Sequence, residues 1–354
     1  MIEPTLDLLS MTPEELSDLF LTLGQPAYRA KQVFSAFARG LSVAEITTLP
    51  KKLRDRLENG YPDAMPKIAE KQVSALDGTA KYLLRLHDGN AVEAVLMRYE
   101  HGTTVCVSSQ VGCAMGCAFC ASTIGGRVRN LTAGEMLGEV ATLARDAGER
   151  IDGIVIMGIG EPLDNYDNVL RFLRLVNRPE GLGIGYRHIS LSTCGVVPRI
   201  YDLAKEDLPI TLSISLHASD DARRSRIMPV NRKWNLDKLL TACAAYFDAT
   251  GRRISFEYTL IAGENDTQDE AKRLAGLLKL YFPDRPIHVN LIRLNEVKET
   301  GYKTPDGESA RRFSDTLNRL GVTATVRRRL GSDVSAACGQ LRRQSAASGG
   351  EDKP

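Results

Sequence analysis

A chain of 354 residues, 43% hydrophobic and 25% charged, is long enough for one large α/β domain with a small appended one, and its composition is that of a chain that buries a core. A net charge of +2 excludes a strongly basic or acidic chain, and no apolar run reaches the roughly 18 residues that crossing a membrane takes. Seven cysteines without a paired framework, and a first stretch (Met1-Ile2-Glu3-Pro4) lacking the basic and apolar regions of a signal peptide, lead to an expected place in a reducing, cytoplasmic compartment.

Residues 1–60 read as a helical module that either caps the main domain or, given its basic residues, contacts nucleic acid. Thr12 is the expected cap of a helix over 13–23, with Pro13 at its first position and Glu15 as capping-box partner. Two more helices are expected over 29–38 and 51–59. Residues 61–102 read as a β-hairpin extension. Asp77-Gly78 and Asp88-Gly89 mark turns around runs 81–86 and 91–97, where the pattern has period two. Beyond 103, β-rich runs at 103–108, 153–157, 188–192, 210–216, 254–260 and 287–293 alternate with helical stretches. Examples are 133–146 behind Thr132 and Glu135, then 165–176 and 236–249. This alternation predicts a parallel sheet, and six units predict a partial (β/α)6 barrel over 103–343 with its ligand site at the strand C-terminal ends. A strand over 323–328 closes the domain. The Ser/Gly-rich tail 344–354 is expected to be disordered.

Cys113, Cys117 and Cys120 follow the first barrel strand in Gly112-Cys113-Ala114-Met115-Gly116-Cys117-Ala118-Phe119-Cys120. Three thiolates on one loop can hold three irons of a cubane and leave the fourth open, whereas electron-transfer clusters use four cysteines. The open iron can be chelated by the amino and carboxylate groups of S-adenosylmethionine. A structural zinc site would want four ligands in two spaced pairs, and no second pair is present. Phe119 could shield the group from solvent.

Other polar residues fall at the ends of predicted strands. Gly160 and Glu161, in Gly158-Ile159-Gly160-Glu161-Pro162, allow close backbone approach and an acceptor for an ammonium group. Ser192 ends the third strand, Ser215-Leu216-His217 the fourth, and Asn295 follows the sixth. Each alone also suits a turn or a cap. Glu93 shares a strand face with Val95 and Met97. Pattern alone favours an exposed edge-strand position for it; on a buried face it would suit a general base. Cys243 reads as core, and Cys194 has no sequence partner. Cys338, among small residues in Gly331-Ser332-Asp333-Val334-Ser335-Ala336-Ala337-Cys338-Gly339-Gln340, reads as an accessible, reactive thiol. Arg327-Arg328-Arg329 and the group Arg223, Arg224, Arg226, Arg232 and Lys233 are either solvated faces or phosphate contacts.

Taken together, Val105-Cys106-Val107-Ser108-Ser109-Gln110-Val111-Gly112-Cys113, Cys117-Ala118-Phe119-Cys120, the Gly-Ile-Gly-Glu-Pro run, Ser215-Leu216-His217-Ala218 and the run from Asp333 to Leu341 resemble the RlmN/Cfr family of radical SAM RNA methyltransferases. Ile159 stands where the family often has methionine. The resemblance covers nearly the whole chain, and the helical module favours the RlmN side of the family. It implies a barrel of the radical SAM type, one [4Fe-4S] cluster on Cys113, Cys117 and Cys120, and two S-adenosylmethionine per methylation. It implies methylation of adenine carbon 2 in large-subunit (23S) rRNA and in tRNA next to the anticodon. The route runs through a methyl-cysteine and a transient covalent protein–RNA adduct. Carried over by motif, Cys338 is the methyl carrier, Cys106 its resolving partner in a disulfide, and Glu93 the proton acceptor. Gly160, Glu161, Ser192, Ser215, Leu216, His217 and Asn295 bind S-adenosylmethionine. The implied partners are rRNA, tRNA and an electron donor such as flavodoxin or ferredoxin, the enzyme itself being a monomer. A Cfr-like carbon-8 methyltransferase and a non-catalytic Fe–S RNA-binding protein are the competing readings.

Overall fold

The structure, a computed structural model, describes residues 7–334 and Leu341. Three helices come first: α1 (Pro13–Thr22), α2 (Tyr28–Ala38) and α3 (Lys51–Gly60). Thr12 and Glu15 cap α1 reciprocally: the Glu15 N–H donates to Thr12 Oγ1 at 3.2 Å and the Thr12 N–H to Glu15 Oε2 at 2.8 Å. Leu16, Phe20, Val33, Phe37, Leu53 and Leu57 of these helices belong to the same continuous core as the barrel.

Strands β1 (Lys67–Val73), β2 (Ala80–Arg85) and β3 (Ala91–Tyr99) then run antiparallel into β4 (Gly102–Val107). A short hairpin of β5 (Gln110–Gly112) and β6 (Arg127–Asn130) stands apart as a two-stranded sheet. The rest alternates: α4 (Ala133–Ala147), β7 (Gly153–Ile156), α5 (Tyr166–Asn177), β8 (Ile189–Thr193), α6 (Val197–Leu203), β9 (Thr211–Ser215), α7 (Asp221–Ile227), α8 (Leu236–Thr250), β10 (Ile254–Leu260), α9 (Gln268–Tyr281), β11 (Ile287–Arg293), α10 (Gly307–Arg319) and β12 (Thr323–Val326). From β4 to β12 the neighbours are parallel, in the order β4-β7-β8-β9-β10-β11-β12. Six helical crossovers therefore build an open barrel of the radical SAM type.

The stretch expected as a hairpin extension forms the antiparallel strands β1 to β3, which continue the sheet beyond β4. Ten of the twelve strands form one sheet, ordered from β1 at one edge to β12 at the other. The reason is the tight connection at Glu100-His101, which leaves β3 no course but to fold back along β4. Unlike a closed eight-stranded barrel, whose interior is packed with apolar layers, this interior carries polar rungs. Ser190 and Ser213 hydroxyls lie 3.2 Å apart, the Asn290 amide donates to Glu257 at 2.8 Å, and His288 Nε2 lies 2.9 Å from the Thr325 hydroxyl.

Candidate active site

The cysteine loop is held shut by its own neck. β5 and β6 pair across it, and Gly112, at φ +78°, lies so close to the other arm that a Cβ there would sit 2.0 Å from the Gly126 carbonyl. Within the loop the Cys120 N–H donates to the Cys117 carbonyl at 3.1 Å, and the Thr123 hydroxyl to the Cys120 carbonyl at 3.0 Å. The Ala118 N–H donates to the Ile227 carbonyl at 2.8 Å, which ties the loop to the end of α7. Cys113 is buried; Cys117 and Cys120 are half-buried.

Burial, with Cys120 and Glu161 nearby, pushes the Cys113 thiol up to about 12, and burial with both other cysteines pushes Cys117 up as well. Thiols placed like Cys113 and Cys117 become thiolates together only against strong positive charge, which iron ions would supply. Among the described residues no three Cys, His, Asp or Glu side chains gather around a single ion. Three thiols on one loop fit a multi-iron group.

The loop after β7 is stitched to the approach of the cysteine loop. The Ile159 carbonyl accepts the N–H groups of Ser109 (2.8 Å) and Gln110 (3.1 Å), and the Glu161 N–H donates to Gln110 Oε1 at 2.9 Å. Gly160, at φ +112°, has no room for a side chain: a Cβ would lie 2.6 Å from that of Gln110. Glu161 is buried. One carboxylate oxygen accepts the Leu163 N–H at 3.0 Å, the other the Cys194 N–H at 2.8 Å, and burial raises its pKa. Its orientation is thereby fixed, with lone pairs left for an ammonium donor.

The ends of β8 and β9 meet beside it. Ser192 and Ser215 hydroxyls are 3.4 Å apart. Leu216 is buried, its N–H on the Glu257 carbonyl at 3.0 Å. His217 sits in the left-handed region (φ +58°), and its Nδ1 accepts the Thr259 N–H at 2.9 Å. Burial and Arg224 hold its pKa down at about 3, so the ring is neutral with its proton on Nε2. The ring meets Phe119 of the cysteine loop edge-on, centroids 5.2 Å apart. Cluster loop, Glu161, Ser192, Ser215 and His217 thus converge at the strand C-terminal ends. Asn295, after β11, lines a cavity of about 540 Å³ together with Cys106 of β4. Cys338 lies outside the described residues.

Glu93 is not on an exposed edge, as pattern alone suggested. β3 is flanked by β2 and β4, and Glu93 is only 1% exposed. Lys81 Nζ lies 3.1 Å from its Oε2, both side chains being fully buried. Lys81 carries no motif of its own, but the register places it. The tight Asp88-Gly89 turn sets the β2–β3 register, with Leu83 opposite Glu93 and Lys81 opposite Val95, so Lys81 is the diagonal neighbour of Glu93.

The basic group at 223–233 is likewise not a plain solvated face. Arg224 is fully buried and donates to the Cys194 carbonyl at 2.7 Å, the Leu216 carbonyl at 3.1 Å and Asn231 at 3.0 Å. Arg223 pairs with Asp220 and Glu270, and Arg226 with Glu264. Helix α7 lies on the cysteine loop, so its inward arginine braces that loop's surroundings.

Two outcomes are expected. Protein reconstituted anaerobically binds about four irons per chain; Cys113→Ala, Cys117→Ala or Cys120→Ala abolishes this, and stoichiometric zinc without iron would contradict the assignment. Lys81→Met, which strands a buried carboxylate, lowers stability in urea by about 3–5 kcal/mol, and adding Glu93→Gln recovers most of the loss. Equal stability of Lys81→Met and the unaltered protein would show that the pair is not buried as described.

Residues 107–275 match the profile of the radical SAM superfamily. The chain is 48% identical over 338 residues to a Clostridium acetobutylicum protein named "Probable dual-specificity RNA methyltransferase RlmN", covering 95% of this chain and 97% of that one. A relative of the same name from Alkaliphilus oremlandii is 49% identical over 340 residues, covering 96% and 98%. The crystal structure of a radical SAM methyltransferase from Sphaerobacter thermophilus superposes with a TM-score of 0.89 at 43% identity, over 95% of this chain and 98% of that one. With the cluster loop, its partner loops and this full-length similarity in place, the chain belongs to the radical SAM superfamily and, within it, to the RlmN family of RNA methyltransferases.

Proposed function

We propose that this chain methylates carbon 2 of an adenosine in large-subunit (23S) rRNA and in tRNA next to the anticodon, with Cys338 as methyl carrier, Cys106 as resolving thiol and Glu93 as proton acceptor. The observation that carries the reading is the cavity beside β4. One wall is Val95, Met97, Cys106 and Met157; the other is Leu330, Gly331 and Ser332, six residues before Cys338. Arg293, Arg327, Arg328 and Arg329 also line it, a setting suited to phosphates flanking a base. Relatives of the same length are named as dual-specificity RNA methyltransferases.

Carbon 2 of adenine is electron-poor and does not attack a sulfonium methyl as a nucleophile. In the proposed sequence the Cys338 thiolate first takes the methyl of one S-adenosylmethionine, forming S–CH3 and releasing S-adenosylhomocysteine. Cys113, Cys117 and Cys120 would hold the cluster, which would supply one-electron chemistry: the electron for reductive cleavage of a second S-adenosylmethionine, whose carbon radical can remove a hydrogen atom from that S-methyl group, and a sink for the electron the RNA adduct must lose. The Cys338 S-methylene carbon bonds to carbon 2. Glu93 takes the ring proton, its carboxylate held in place by the Lys81 ammonium. Cys106 then attacks the Cys338 sulfur. The S–S bond forms as the S–CH2 bond breaks, the pair goes to carbon, and a proton completes the methyl group. A flavodoxin or ferredoxin is the proposed electron donor, and a thiol reductant resets the disulfide.

Glu161 and the Ser192–Ser215 pair provide acceptors and donors for the methionine end of the cofactor, with Gly160, Leu216, His217 and Asn295 as the further contacts. Glu161 is oriented by two backbone N–H groups, so it is ready for an ammonium without reorganising.

The test separates this route from direct methyl transfer. Cys106→Ala, given RNA, reductant and S-adenosylmethionine, is expected to accumulate covalently attached to RNA, seen as a nuclease-sensitive mass on denaturing gels. Cys338→Ala is expected to carry neither methyl nor RNA. Normal turnover by Cys106→Ala with no trapped RNA would assign the resolving role to another residue.

A further inference from the structure

The segment that leads to Cys338 is pinned, at a distance in sequence, to the turn between β1 and β2. The Ser74 hydroxyl donates to Asp333 Oδ1 at 2.6 Å, and the Ala75 N–H to Asp333 Oδ2 at 2.9 Å. In the other direction the Gly331 N–H donates to Asp77 Oδ2 at 2.9 Å. Two carboxylates and three donors are matched across the two segments, 254 to 259 positions apart.

The turn itself is a firm platform. The Ser74 N–H donates to the Thr79 carbonyl at 2.8 Å, the Gly78 N–H to the Ser74 carbonyl at 3.1 Å, and the Thr79 N–H to Asp77 Oδ1 at 3.0 Å. Arg98 of β3 donates to the Gly78 carbonyl and pairs with Glu149 at 2.8 Å, bracing the turn on the barrel. Ser74 is 3% exposed, so its hydroxyl is a committed donor rather than a solvated one. Burial opposes ionisation of Asp77, but the Gly331 and Thr79 N–H groups outweigh it and hold its pKa at about 2; the Ser74 hydroxyl lowers that of Asp333. Both carboxylates are ionised at any pH at which the enzyme works, so these are charge-assisted hydrogen bonds.

The position of this contact gives it a role. Leu330, Gly331 and Ser332 line the same cavity as Cys106. Cys338 follows Asp333 by five residues, a tether of at most about 17 Å fully extended. We propose that Ser74, Asp77 and Asp333 are positioning residues: they fix the root of the Cys338 segment at the cavity mouth and so raise the effective concentration of the Cys338 thiol at Cys106. The proposal rests on the carrier and resolver roles given above.

The test uses the full-length enzyme with diamide as oxidant. The two thiols lose two protons and two electrons, the Cys106–Cys338 bond forms, and diamide is reduced to the hydrazine; the linked peptide is timed by mass spectrometry. Ser74→Ala and Asp333→Asn are each expected to slow linkage about fivefold to tenfold: the first removes the hydroxyl's hydrogen bond to the carboxylate, the second the charge that the Ser74 hydroxyl and the Ala75 N–H both face. The double variant is expected to be no slower than the slower single one, because both remove the same contact. Ser74→Thr, which keeps the hydroxyl, is expected to restore the rate. Thermal midpoints accompany each variant: slowing that survives at an unchanged midpoint supports positioning. Wild-type rates in both single variants, faster linkage, or multiplied effects in the double variant would overturn it. Absence of any Cys106–Cys338 linkage in the unaltered enzyme would instead overturn the carrier and resolver assignment.

Discussion

Val95 lies opposite Cys106 in the β3–β4 ladder, and that register decides what the barrel interior contains. Side chains alternate along a strand, so a slip of one residue would turn Glu93, Val95 and Met97 outward and bring their neighbours in. In the observed register Glu93 ends beside the C-terminal end of β4, where the Ser108 hydroxyl donates to its carbonyl at 2.7 Å. The same ladder carries β2 and its Lys81 into place. The antiparallel strands therefore supply Thr79, Val95 and Met97 to the cavity that Cys106 lines, and the β1–β2 turn meets the segment at Gly331 to Asp333.

Around the cysteine loop the arrangement is one of buried charge. Glu161 and three thiols are anionic or potentially so; Arg224, fully buried, is a cation beside them and, among the described residues, is held by carbonyls and an amide rather than by a carboxylate. His217 stays neutral, as its accepting Nδ1 and its burial require. A buried guanidinium without a directly paired carboxylate is costly in isolation. The cysteine loop is linked to the helix that carries this arginine. The N–H of Ala118 on the end of α7 is the mechanical part of the same link.

Much of this was legible in the residues alone. Strong periodicity, capping boxes and turn dipeptides are local signals, and the parallel strands from 103 onward fell within one or two residues of their observed ends, as did the helices they flank. The cysteine spacing is local too. What escaped depended on pairing across the chain. Glu93 looked like an edge residue because nothing within its own strand reveals that β4 lies on its other side. Arg224 looked like one more surface arginine because a seven-residue helix rich in arginine has no periodicity to tell inside from outside. The β5–β6 clasp is too short to stand out. The contact of Ser74 with Asp333 joins positions 259 apart and leaves no trace in either segment. Lys81 is the intermediate case: the tight turn had already set its position, had the register been followed two residues further.

The measurement that bears most directly on the central claim is the isotopic content and position of the new methyl group. RNA is incubated with the reconstituted enzyme, a reductant and S-adenosylmethionine carrying a trideuterated methyl, and the modified nucleoside is analysed by mass spectrometry. A route through a methylated Cys338, with hydrogen removal before bond formation, delivers a methyl that keeps two deuterium atoms, attached to adenine carbon 2. An intact trideuteromethyl group would show direct transfer and contradict the mechanism. A dideuterated methyl on carbon 8 would keep the mechanism and contradict the site.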